Sequence, residues 1–214
     1  MLFLEKADEC RNPFSRTLVC FAHQQGVELE VSCGIPGARH VLGGSLGYDA
    51  ALRGCYDIDL RLLVPDAGKS LDEVRRQIDA VKDLLVKRAK DDSSFESWFI
   101  DEGTGSYIWH TKKNVRVPGV TGNPDVELSW NIQAESSYHG LAEMAARLPR
   151  NVIDRYVVAK WNAKLAGDKA YRNLKGDWKA LLSSLIENGG REMSDEELKS
   201  LLTSKSTDFP IFFL

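Results

Sequence analysis

The run from Gly43 to Leu60 constrains this chain more than any other part of it. Tyr56 to Val64 reads YDIDLRLLV, the clearest strand in the sequence. Pro65 stops it, because proline has no amide hydrogen to give to a sheet ladder. Side chains at i and i+2 of a strand share a face, so Asp57 and Asp59 point one way while Ile58 and Leu60 point to the layer behind. Two carboxylates about 6–7 Å apart on one face repel each other unless something positive lies between them. Ahead of the strand, Ala38 to Leu42 reads as a shorter one running into the pair Gly43-Gly44, and Ser45 to Leu52 as one or two helical turns.

Each piece carries its own chemistry. Carboxylates are hard oxygen ligands, which suit Mg²⁺ or Mn²⁺. Two such ions about 4 Å apart hold the attacking and leaving oxygens of an in-line phosphoryl displacement. A Gly-Gly-Ser turn ahead of a short helix lets backbone N–H groups approach a phosphate, and the helix dipole and the Ser45 hydroxyl add to that site. One piece suits an anionic polyphosphate and the other suits metals that activate it.

The combined spacing, G-G-S-x-G-x-x-x-x-L-R-G-x-x-D-x-D-L over residues 43–60, resembles the nucleotidyltransferase superfamily typified by DNA polymerase β. It is closest to the template-independent members, and the spacing also looks like that of the oligoadenylate synthetases. The resemblance implies an α/β (α+β) fold with a small mixed β-sheet catalytic core backed by helices. It also implies a third carboxylate on a neighbouring strand. Glu127-Leu128-Ser129-Trp130-Asn131 is similar to the Asp-hydrophobic-Ser-Phe-Asn strand of poly(A) polymerases, with Glu in place of Asp, so Glu127 is the first candidate. Asp125 shares its face by alternation and is the reserve. Ala159-Lys160-Trp161-Asn162-Ala163-Lys164 looks like the helix with which such enzymes reach the β and γ phosphates, which makes Lys160, and after it Lys164, candidate phosphate ligands beside Gly43, Gly44 and Ser45. Arg53 is either structural or phosphate-facing, and Tyr171 either stacks on a base or packs half-buried. Asp49 is read as a helix residue outside the metal face.

The rest of the chain is organised around this core. A helix is expected from Asn12 to Gln25, closed by Gly26. Ser70 and Glu73 make a capping box for a helix whose stripe Leu71, Val74, Ile78, Val81 and Leu85 is core packing. Further strands are expected at Tyr107–Val117 and Asp125–Ile132, with the turn-rich run Pro118 to Pro124 between them. From Ser136 onward helices read at about 137–147, 152–166, 175–188 and 195–204, with Asn151 and Ser194 as N-caps and Gly167 and Gly189 as stops. Residues 1–135 thus form the expected catalytic core and 136–214 a helical C-terminal region, with the active site in the cleft between them. On the helix from Val152, Lys160 and Lys164 are expected on one face and Val157, Trp161 and Leu165 on the buried one. Trp178 is read as core, and the apolar end FPIFFL as packed on the body.

Composition removes several classes. The 28 basic and 31 acidic residues leave a net charge of −3, unlike a coat for nucleic acid, although nine Lys and Arg against three acids fall between Arg147 and Lys179. Four cysteines without CxxC spacing fit reduced thiols in the cytoplasm, and four scattered histidines give no HExxH. The charged run MLFLEKADEC is not expected to act as a secretory signal, and no apolar run reaches the roughly 20 residues that span a bilayer. The expected activity is metal-dependent transfer of a nucleoside monophosphate from an NTP to a hydroxyl acceptor, releasing pyrophosphate, with Asp57, Asp59 and Glu127 (or Asp125) around Mg²⁺ or Mn²⁺. The acceptor, whether an RNA end, a small molecule or a protein hydroxyl, stays open. The alternative is a nucleotide-binding or partner-binding module of the same fold without turnover.

Overall fold

The computed structural model describes residues 2–101, 107–122 and 125–213. Asn123 and Pro124 of the expected turn, and Met1 and Leu214 at the ends, lie outside the described residues. The chain forms two compact units, one from Arg16–Leu46 and Tyr56–His139, the other from Met1–Ser15, Gly47–Cys55 and Gly140–Leu214.

The first unit is a sheet backed by helices. Its strands are β1 (Arg39–Leu42), β2 (Asp57–Val64), β3 (Glu96–Asp101), β4 (Tyr107–Val115) and β5 (Val126–Ala134), in the order β1-β2-β5-β4-β3. Only β2 and β5 run parallel; the other pairs are antiparallel, so the sheet is mixed. Alternation decides what each face carries. Ile58, Leu60, Leu62, Leu128, Trp130 and Ile132 are buried, each side chain of this size contributing about 1.5–3 kcal/mol by leaving water. Asp57, Asp59 and Glu127 stand on the exposed face.

Two helices belong to this unit, α2 (Ser15–Cys33) and α3 (Leu71–Arg88). Ser70 caps α3 by accepting the Glu73 N–H, and Val74, Ile78 and Val81 form its buried stripe. Leu71 at the head of that stripe is 50% exposed, and Leu85 at its end is half-buried. The expected stop at Gly26 is not one: α2 runs through it for two further turns. The helix takes glycine there to let the His40 ring lie against its backbone, where a β-carbon would come within 2.2 Å of His40 Cδ2.

Residues 44–49 are successive turns and not the expected helical turns. Gly44 has φ +58 and Asp49 φ +56, left-handed backbone that no helix continues through. The helix dipole expected to favour a phosphate at this turn is therefore lacking, and backbone N–H groups and Ser45 are what the turn offers.

The second unit is helical: α1 (Leu2–Cys10), α4 (Leu141–Ala146), α5 (Arg150–Ala166), α6 (Asp168–Glu187) and α7 (Asp195–Lys205). Pro149, and not Asn151, stands at the N-cap position of α5 and makes no side-chain cap, whereas Ser194 with Glu197 forms a complete capping box on α7. Tyr156 and Trp178 stack with centroids 4.1 Å apart, and the buried Phe212 meets Trp178 edge-on at 5.1 Å, so the apolar tail packs into the core through Phe212, while Ile211 is 50% exposed.

Candidate active site

Sheet register brings the acidic residues to one face. In the parallel β2–β5 pair, Asp57 stands opposite Glu127 and Asp59 opposite Ser129. Ser129 Oγ donates to Asp59 Oδ1 at 3.0 Å, which fixes that carboxylate from the neighbouring strand. Asp125 precedes β5 and is exposed.

The glycine turn meets the same strand. Gly43 N–H donates to the Asp59 carbonyl at 2.7 Å. Gly44 then passes so close that a β-carbon on it would lie 2.0 Å from Asp59 Oδ2. Only glycine takes this backbone without strain and leaves the carboxylate its place. Turn and acidic strand thus form one structure, with Ser45 following directly in the chain.

One participant escaped the sequence reading. Lys112, on β4 and in register with Ser129, sets its Nζ 3.6 Å from Glu127 Oε2 and 3.5 Å from Glu96 Oε2. The charge of Glu127, then that of Glu96, raises the Lys112 pKa above the ordinary lysine value. Alternation within Tyr107–Val115 was the available signal, since it places His110, Lys112 and Asn114 on one face.

A divalent ion suits this face by its donor chemistry, carboxylate oxygens beside a close glycine turn. Asp57, Asp59 and Glu127 are the residues that would hold it. Among the described residues, however, no group of three or more His, Cys, Asp or Glu side chains closes on one point, so the protein supplies an incomplete shell. Mg²⁺ is commonly bound this way, by one or two carboxylates with substrate phosphates and water.

Lys160 and Lys164 belong to α5 in the helical unit, and they differ from the expectation. The buried face of α5 is Ile153, Tyr156, Val157 and Lys160, a stripe displaced from the expected Val157, Trp161 and Leu165. Leu165 is 72% exposed and Trp161 half-buried. Lys160, only 4% exposed, donates from Nζ to the Ala50 carbonyl at 3.1 Å and lies over the Tyr156 ring. Lys164 is exposed, with Nζ 3.2 Å from Cys55 Sγ. Tyr171 packs half-buried against the helical core. Arg53 is exposed at its side chain and donates its backbone N–H to the Cys10 carbonyl. Asp49 pairs with Arg150 and Arg11, and the nearly buried Arg11 also binds Asp154. All four cysteines are free thiols, and among the described residues no helix is long and apolar enough to cross a membrane.

No family model and no curated protein matches the sequence. Among solved structures, the chain is similar to a variant of the Cid1 poly(U) polymerase bound to MgATP, with 14% identity over 81% of this chain and 52% of that chain and a TM-score of 0.50. It is also similar to Cid1 poly(U) polymerase bound to MgGTP, at 15% identity over 73% of this chain and 45% of that one, TM-score 0.48. A cytoplasmic RNA terminal U-transferase matches at 15% identity over 74% of this chain and 44% of that one, TM-score 0.43. The chain spans about half the length of these structures. Identities this low speak for architecture alone, and the five-stranded mixed sheet with its helices matches the nucleotidyltransferase fold of the MgATP-bound Cid1 structure.

Proposed function

We propose that this chain is the catalytic module of a metal-dependent nucleotidyltransferase, which moves a nucleoside monophosphate from an NTP to a hydroxyl acceptor and releases pyrophosphate. The observation that carries the reading is the joint between Gly44 and Asp59, which sets a backbone turn fit for phosphates against a carboxylate strand fit for metal. The match to a MgATP-bound Cid1 variant supports an NTP and Mg²⁺, with Mn²⁺ as the equivalent ion.

In this reading Asp57 and Asp59 hold the metal, which supplies Lewis-acid stabilisation of the phosphoryl charge when bound. Gly44 and Ser45 hold the triphosphate through N–H groups and the hydroxyl, and Gly43, whose own N–H goes to the Asp59 carbonyl, sets the turn beside it. Glu127, or Asp125 in its place, receives the proton of the acceptor hydroxyl. The hydroxyl oxygen bonds to the α-phosphorus, the α–β phosphate bridge breaks, and pyrophosphate leaves. Of the two α5 lysines proposed as phosphate ligands, Lys164 is exposed, while Lys160 is buried and donates to the Ala50 carbonyl.

Pyrophosphate release with each of the four NTPs, in Mg²⁺ and in Mn²⁺, tests the proposal. Labelled NTP with RNA, small-molecule and protein fractions then identifies the acceptor. A second reading, a nucleotide-binding or partner-binding module without turnover, is favoured by one observation: the ammonium of Lys112 sits on Glu127, where a metal or acceptor would compete with it. Thermal protection by NTP without pyrophosphate release would decide for that module.

A further inference from the structure

One cluster in the sheet unit takes no part in the proposed reaction. His40 on β1 lies between two residues of α2: its Nδ1 is 2.7 Å from Glu30 Oε1, and its Nε2 is 3.0 Å from Nδ1 of His23. Glu30 also accepts the backbone N–H of His40. A carboxylate only accepts, so Nδ1 of His40 carries the proton and Nε2 turns its lone pair toward His23. Two of the four histidines in the chain are thereby joined, and the tautomer of the inner one is set by a carboxylate.

The seat for this arrangement is Gly26. Glycine inside a helix costs about 1 kcal/mol relative to alanine. Here it removes the β-carbon that would stand 2.2 Å from Cδ2 of His40 and push the ring away from both partners. His40 is nearly covered, with 13% of its side chain exposed, whereas His23 is exposed and able to adjust.

We propose that His23 and His40 are the ligands of an imidazole-preferring divalent transition ion, of which Zn²⁺ is the type, with Glu30 holding His40 from behind. The ring centroids stand 5.3 Å apart. Two imidazoles on one tetrahedral ion, with metal–nitrogen bonds of about 2.0–2.1 Å, have centroids about 5 Å apart. The rings therefore need only rock about their centres, with the proton on Nδ1 of His23 moving to its Nε2, for both lone pairs to face one ion. The Glu30–His40 pair is the carboxylate–histidine support that such ligands use to fix orientation and raise basicity. No third His, Cys, Asp or Glu joins the pair among the described residues, so water completes the shell. The ion would brace α2 against β1, the strand that runs into Gly43 and its bond to Asp59.

Titration of the full chain with Zn²⁺ alone, read by calorimetry and by imidazole ¹⁵N resonances, tests this. Saturable uptake that moves the ring signals of His23 and His40 is expected, while Mg²⁺ leaves them in place. His23→Ala, an exposed change that preserves the fold, should weaken that uptake at least thirtyfold, and Glu30→Gln should weaken it about tenfold. Zn²⁺ affinity unchanged in His23→Ala, or uptake that leaves both rings unmoved and titrates only the carboxylate face, would overturn the proposal.

Discussion

Asp59 Oδ2 occupies the space where a side chain on Gly44 would begin, 2.0 Å from the position of its β-carbon. An alanine at 44 meets two penalties. At φ +58 it is strained by about 1–2 kcal/mol, and its methyl displaces the carboxylate. The carboxylate is the end of a short side chain and swings aside cheaply, so the fold should survive while the carboxylate proposed to hold metal leaves its place. Gly44→Ala should lower the unfolding free energy by about 1–2 kcal/mol in urea melts. Its pyrophosphate release should fall by more than the strain accounts for, at least a hundredfold. Loss of activity only in proportion to loss of folded protein would separate the turn from the reaction.

The three exposed carboxylates make a cleaner case. Asp57→Asn, Asp59→Asn and Glu127→Gln remove charge without removing packing, so each should change stability by no more than about 0.5 kcal/mol. Each should lower kcat/KM by at least two orders of magnitude, and Asp125→Asn by less than threefold. If Asp125→Asn is the damaging change and Glu127→Gln the mild one, the third carboxylate is the earlier residue.

The parts of the fold that were legible in the sequence are those where one local rule governs. The alternation in YDIDLRLLV gave the strand and its faces, and Ser194 with Glu197 gave the start of α7, because period and capping act over a few residues. Edge and tertiary effects hid the rest. Strand β3, Glu96–Asp101, was not foreseen: as an edge strand it leaves both Trp98 (42%) and Phe99 (45%) exposed, so no alternation marks it. The helix at Leu2–Cys10 was also missed, since its short amphipathic run reads as an ordinary charged terminus. Gly26 looked like a stop because nothing local announces a histidine ring arriving from fourteen residues away. Lys160 looked like a surface cation because its anchor, the Ala50 carbonyl, is 110 residues distant in sequence. At the site, the carboxylates and glycines were legible from spacing, whereas Lys112 joins them only through the β4–β5 register.

The two α5 lysines should therefore separate in experiment. Lys164→Ala, at an exposed position, should leave the melting temperature unchanged. Lys160→Ala removes a buried stem and leaves the Ala50 carbonyl without that donor, so about 2 kcal/mol of stability should go with it. Matching thermal profiles for the two variants would contradict their different burial.

Tyr107 gives a pH signature confined to the sheet unit. Burial first, then its hydrogen bond to Asp79 at 2.9 Å and the charge of that carboxylate, push its pKa up to about 12 from 10.0. The raised value means that the folded form keeps the phenol proton when the unfolded chain has lost it. The contribution of this group is therefore whole below pH 10 and is lost as pH rises toward 12. Ultraviolet titration at the phenolate band should show one tyrosine ionising near pH 12, absent in Tyr107→Phe. The stability of that variant should also decline less steeply between pH 10 and 12, because the group whose titration drives part of the decline has been removed. A difference between the two proteins that falls near pH 10 instead would mean that Asp79 does not hold the phenol proton in solution.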